Sequence, residues 1–131
     1  MPRRALFAVV AVVAAGSLSA CGKESVSVSK SDPTYKGAQL FAQRCQGCHT
    51  LDVAGTQGGA TKVRDRERTD GPNFNVRKET VSQALYAIRN GGFSGAIMPE
   101  NIVVGKEALE VAQFLAKFSG RKAPKSVSPN G

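Results

Sequence analysis

The sequence predicts an all-α fold: a small helical domain of three main helices, with long loops wrapped around a bound group. Three observations lead there. Three stretches carry apolar residues at helical spacing, whereas the strand signal is confined to the short run Ile102-Val103-Val104. The segments 49–79 and 91–105 are unusually long for loops in a domain of this size, and they need something to pack against. Tryptophan is absent and tyrosine and phenylalanine are few, so a bound cofactor could supply buried apolar mass that the side chains lack. The 131 residues suffice for one core with tails, not for two.

The first element is an address. Arg3 and Arg4 precede an unbroken apolar run, Ala5 to Ala15, followed by small residues, which is the layout of a secretory signal peptide. A transmembrane anchor is the alternative, but eleven residues at about 1.5 Å each cover only about half of the ~30 Å hydrocarbon core. Leu18-Ser19-Ala20-Cys21 then resembles a bacterial lipobox. That resemblance implies cleavage after residue 20 and a diacylglyceryl group on the Cys21 thiol. Ordinary cleavage after Ala20 would instead leave an unpaired thiol outside the cell, a liability that lipidation removes. Two or more acyl chains anchor stably where one is marginal.

Residues 1–20 are thus expected to be signal peptide and 21–34 a lipidated tether. Gly22 to Thr34 is rich in Ser and Lys, and as a random coil it reaches about 20 Å. Val26 and Val28 alternate with serines, but no second strand is in sight to pair with them. The domain proper is expected over 35–120, and 121–131 as a frayed C-terminal tail. Removing the signal lowers the basic residues from 18 to 16 against 10 acidic ones, so the charge falls from +8 to +6. That mild excess, together with export, argues against nucleic acid as the partner.

Within the domain, Tyr35 to Cys48 is expected to hold the first helix, with Gly37, Phe41 and Cys45 recurring every fourth residue. Thr80 to Asn90 is the second: Val81, Ala84, Leu85 and Ile88 share one face, Thr80 and Gln83 make a capping box, and Gly91-Gly92 supply the stop. Lys106 to Phe118 is the third, with Val111, Phe114, Leu115 and Phe118 on one face. The loop stretch Thr61 to Asp70 carries four basic and three acidic residues. It can be a docking surface for a partner, but a solvated loop with weak internal ion pairs is the simpler reading.

The chemistry concentrates in Cys45-Gln46-Gly47-Cys48-His49, which holds two of the three cysteines and the one histidine. A dithiol redox motif would need a βαβ setting that this chain lacks. A structural zinc site needs four ligands, and only these three side chains are at hand. A disulfide between Cys45 and Cys48 leaves His49 unexplained. C-x-x-C-H is the attachment signature of c-type haem: the thiols add to the haem vinyls and the histidine reaches the iron from one side. After the signal is removed one methionine remains, Met98, in G-A-I-M-P-E-N. Taken alone it would read as a packing residue in a flexible loop. Beside C-x-x-C-H it is the candidate sixth ligand, and a neutral thioether raises the potential in the way an electron carrier uses.

Taken together, Gly37 and Phe41, the Cys45–His49 motif, Gly71-Pro72, Met98-Pro99 and Phe114-Leu115 resemble the class I, monohaem c-type cytochromes from about Tyr35 to Gly120. The resemblance implies the small cytochrome c fold around one covalently attached haem c. It implies that the first and last helices cross at Gly37, with Phe41 and Phe114 packing there. It implies that the Pro72 carbonyl meets the second ring nitrogen of His49, and that Phe74, where the family often has Leu, covers the haem. Tyr86 is expected in the core rather than on the haem crevice. Arg77 and Asn75 are candidates to meet a haem propionate, although no spacing rule selects them.

The expected function is a membrane-tethered electron carrier, not an enzyme. It would shuttle single electrons between respiratory partners, membrane oxidases or reductases with acidic docking surfaces. The expected location is the outer face of the cytoplasmic membrane or the periplasm. The rivals are a fixed relay subunit of a larger membrane redox complex, and a haem sensor or peroxidase. The last needs an open sixth position and a distal acid–base group, and no second histidine exists to supply one.

Overall fold

The computed structural model describes residues 26–60, 63–93 and 95–122. The expected signal peptide and Cys21 lie outside the described residues, as do most of the tail and Thr61 and Lys62 of the charged loop. Three helices dominate: α1 (Tyr35–Arg44), α2 (Val81–Asn90) and α3 (Gly105–Phe118). A two-stranded antiparallel ladder lies between α1 and α2, with β1 (Thr50–Leu51) paired to β2 (Thr56–Gln57). None of the described helices is long and apolar enough to cross a membrane.

α1 and α3 cross where neither carries bulk. A Cβ on Gly37 would lie 2.1 Å from the Glu110 carbonyl oxygen and 2.9 Å from Phe114 Cβ, so only glycine allows this approach. One turn on, the Phe41 and Phe114 rings meet at 5.7 Å, and Phe41 also meets the edge of Phe74 at 6.0 Å. Ala108, Val111, Ala112, Leu115 and Phe118 continue the buried stripe of α3, against which α2 sets Ala84 and Ile88. α2 starts at the expected capping box: Thr80 accepts from the Gln83 N–H, and the Gln83 side chain accepts from the Thr80 N–H. It stops at Gly91, whose φ of 68° suits a residue without a side chain.

Several expectations need correction. α1 ends at Arg44, not at Cys48. The 45–48 stretch is a turn in which the N–H groups of Cys48 and His49 both donate to the Cys45 carbonyl, at 3.3 and 3.0 Å. The backbone at Gly58 closes over that turn so tightly that a Cβ there would lie 1.9 Å from the Gln46 carbonyl oxygen. The β1–β2 ladder was not expected, being too short to show a period; the Thr50 and Thr56 hydroxyls bond across it, Thr50 to Gly59 and Thr56 to Leu51. Tyr86 is exposed, not in the core. It lies two residues beyond Ala84, about 200° around the helix from the buried face.

The ends of the domain also differ. Residues 26–34 are not a free tether. Val28 is buried, the Ser27 N–H donates to the Val53 carbonyl at 3.0 Å, and Asp32 pairs with Lys117 of α3 at 2.6 Å. At the other end, Gly120 and Lys122 donate to the carbonyls of Phe74 and Asn75, at 2.8 and 2.7 Å, and Lys122 pairs with Asp52. Thus residues 121 and 122 are docked, not frayed.

Candidate functional site

His49 leaves the 45–48 turn and leads directly into β1, so the fold aims it. On the far side of the ladder, Gly71 donates to the Cys48 carbonyl at 2.7 Å and Phe74 to the Thr50 carbonyl at 2.8 Å. These bonds lay the 71–74 segment along His49. Gly71 is compelled there: a Cβ would fall 2.3–2.8 Å from three atoms of the imidazole ring. The Pro72 carbonyl then lies 3.2 Å from His49 Nδ1, and the buried Phe74 ring stacks on the imidazole at 4.8 Å with a 15° tilt.

A cleft of about 440 Å³ opens on this arrangement. That is within the usual range of about 300–1,000 Å³ for cofactor sites. Cys45, Cys48, His49, Pro72, Phe74 and Met98 all line it, together with Phe41, Ile88, Val111 and Leu115 from the core. Six side chains named from the sequence, spread over more than fifty positions, therefore share one apolar cleft. Met98 reaches it from a loop that turns at Gly91 and Gly92, both at positive φ, and packs half-buried against the core.

The electrostatics suit ligand chemistry. Burial, with Arg77 as a smaller contributor, lowers the His49 pKa, against a partial opposing effect of the Pro72 hydrogen bond. The imidazole is therefore neutral near neutrality, the form that binds a metal. Its Nε2 has no hydrogen-bond partner among the described residues. Burial, and the neighbouring Cys48, push the Cys45 thiol up to about 12. The two thiols are free rather than joined in a disulfide. Among the described residues no group of three or more His, Cys, Asp or Glu side chains is arranged to hold a metal ion.

The site also has parts that sequence reasoning missed. Glu79 lines the cleft, is 4% exposed, and pairs with Arg77 at 2.6 Å. No spacing rule marks such a pair. Of the two propionate candidates only Arg77 lines the cleft; Asn75 is committed to Asp52, donating to its Oδ1 at 2.7 Å. The charged loop divides. Arg64 and Asp65 form the exposed ion pair of a solvated loop, while Arg66 and Arg68 line the cleft with Arg44 and Arg77.

Two free thiols and a neutral imidazole with one uncommitted nitrogen, set in a largely apolar cradle, fit a covalently held haem, and the Met98 thioether lies in the same lining. Residues 35–119 match the family model described as cytochrome c. No curated protein sequence matches the chain. Among solved structures, the chain is similar to the c-type cytochrome SorU from Sinorhizobium meliloti, with 25% identity and a TM-score of 0.48 over 71% of this chain and 98% of that one.

Proposed function

The chain belongs to the cytochrome c family, as a class I c-type cytochrome with one covalently attached haem c, and on that premise we propose that it is a membrane-tethered carrier of single electrons. The observation that carries this reading is the convergence of Cys45, Cys48, His49 and Met98 on one apolar cleft. In this reading the thiols of Cys45 and Cys48 hold the cofactor through thioether bonds. His49 Nε2 and the Met98 sulfur would hold its iron. The bound haem supplies a one-electron iron couple.

The chain's own groups set how that couple works. The Pro72 carbonyl accepts from His49 Nδ1–H, which fixes the tautomer with Nε2 as the donor to iron and makes the imidazole a stronger ligand. Phe74 covers the imidazole face and keeps water from it. As a ligand the Met98 thioether would favour the reduced state and would oppose binding of a substrate at the iron. Arg44, Arg66 and Arg68 outnumber Asp70 in the cleft lining, Arg77 being paired with Glu79, and this positive excess suits a redox partner with an acidic docking surface.

Export, cleavage before Cys21 and lipidation of its thiol complete the proposal. Because Ser27, Val28 and Asp32 are docked on the domain, the tether is shorter than residues 21–34. A short tether would keep the domain close to the membrane surface, where its effective concentration toward membrane oxidases and reductases is high.

Film voltammetry of the purified haem-loaded protein tests the carrier reading. A single reversible one-electron wave, unchanged by hydrogen peroxide, is expected; a catalytic peroxide current would replace it with the peroxidase reading. For the anchor, Cys21→Ser is expected to move the protein from the membrane to the soluble fraction. Retention on the membrane would end the lipoprotein proposal.

A further inference from the structure

Phe93 poses a packing problem. It is 48% exposed, stands five residues before Met98 on the same loop, and stacks on Tyr86, which is itself 52% exposed. Burial therefore does not hold this ring in place. What meets its face is the Arg77 guanidinium, 5.8 Å from the ring centroid, within the range in which a cation is drawn to an aromatic face.

Arg77 is itself held from behind. Its Nε lies 2.6 Å from Glu79, a carboxylate almost wholly buried at the cleft wall. A buried carboxylate is costly unless paired, so the pair is tight and the guanidinium has little freedom. The chain of contacts runs from Glu79 through Arg77 to Phe93 and Tyr86. It joins the two walls of the cleft: Arg77 stands three residues beyond Phe74, on the His49 side, and Phe93 is on the Met98 side. Among the described residues, the loop's backbone hydrogen bonds, Gly92 to Ala87, Ala96 to Phe93 and Asn101 to Ile88, tie it to itself and to α2 and not to the segment that carries Arg77.

We propose that Arg77, locked by Glu79 and laid over Phe93, is a positioning residue that clasps the Met98 loop shut across the cleft. The inference rests on Met98 being the sixth ligand. Opening the loop requires Phe93 to leave the guanidinium, so the clasp opposes displacement of the Met98 sulfur by an outside ligand.

Imidazole binding to the ferric, haem-loaded protein tests this, with the methionine–sulfur absorption band as second readout. Arg77→Gln and Phe93→Leu are each expected to bind imidazole about two- to fivefold more tightly than the unaltered protein, the range that a cation–π contact between half-exposed groups carries. Phe93→Tyr, which keeps the ring face, is expected to leave the affinity unchanged. Phe93 is exposed, so its variants fold even if Arg77→Gln suffers from the unpaired Glu79. The double variant is expected to gain no more than the stronger single one, the signature of one shared contact. Unchanged imidazole affinity in Phe93→Leu, or gains that multiply in the double variant, would overturn the clasp while leaving Met98 ligation intact. Absence of the methionine–sulfur band in the unaltered protein would overturn Met98 ligation, and the clasp with it.

Discussion

The carbonyl oxygen of Pro72 lies 3.2 Å from His49 Nδ1, although 23 residues separate them in the chain. That contact decides which ring nitrogen is left for the cleft. It exists because β1 follows His49 immediately and the 71–74 segment bonds to Cys48 and Thr50 on either side of it. Phe74 then covers one face of the ring, and Gly71 fits beneath it without a side chain. The histidine is thus fixed by neighbours on three sides before any metal is considered.

Gly71→Ala tests this frame. Its methyl group would lie within 2.8 Å of three imidazole atoms, so the ring or the 71–74 segment must shift. A cost of about 1–3 kcal/mol is expected, as for overpacking in a close-packed site. Guanidinium unfolding of the haem-loaded protein measures it, and an unchanged midpoint would contradict the packing described.

Gly37→Ala strikes the helix crossing instead. A Cβ 2.1 Å from a backbone carbonyl cannot be relieved by a side-chain rotation, so α1 and α3 must separate. The loss is expected at the upper end of about 1–3 kcal/mol or beyond. Thermal unfolding followed by circular dichroism reads it directly.

Asp32 gives a pH signature. The hydrogen bond from Lys117, followed by those from the Thr34 N–H and hydroxyl, lowers its pKa from 3.8 to about 2. A carboxylate depressed in the folded state adds stability that is fully present above its unfolded value of about 3.8 and lost as pH falls through about 2. Asp32→Asn is therefore expected to be less stable than the parent near neutrality, with the gap closing across that interval. Melting temperatures of both proteins as a function of pH check the sign; a gap that widens toward low pH would contradict it.

Val28→Ala probes the docked N-terminal segment. Removing two buried methyl groups is expected to cost about 1.5 kcal/mol. Limited proteolysis should then cut within residues 26–34 faster than in the parent. Equal cutting rates would mean that the segment is free, as its composition had suggested.

The legible and illegible parts of this molecule differ in range. α2 could be read because its signals are local: the Thr80–Gln83 box and Gly91 act within one turn of the helix ends. The end of α1 could not, because Gly58 closes over the 45–48 turn from ten residues away. Residues 26–34 read as tether because Ser and Lys dominate them; what docks them is Val53 and Lys117, remote in sequence. In the site, Cys45, Cys48, His49 and Met98 stood out by scarcity of residue type. Glu79 and Phe93 did not, since a carboxylate and an aromatic fourteen positions apart follow no period. Their connection appears only when the two walls of the cleft are brought together.

The central claim, that His49 and Met98 are the two axial ligands of one haem c, is tested most directly by the visible absorption spectrum of the matured protein. It should be recorded oxidised, reduced, and reduced under carbon monoxide, alongside Met98→Ala. The expected result is a low-spin six-coordinate c-type spectrum with the ferric methionine–sulfur band and no response to carbon monoxide, with the band lost in the variant. A high-spin spectrum or ready carbon monoxide binding in the unaltered protein would contradict Met98 ligation, and no c-type spectrum at all would contradict the assignment of the cleft itself.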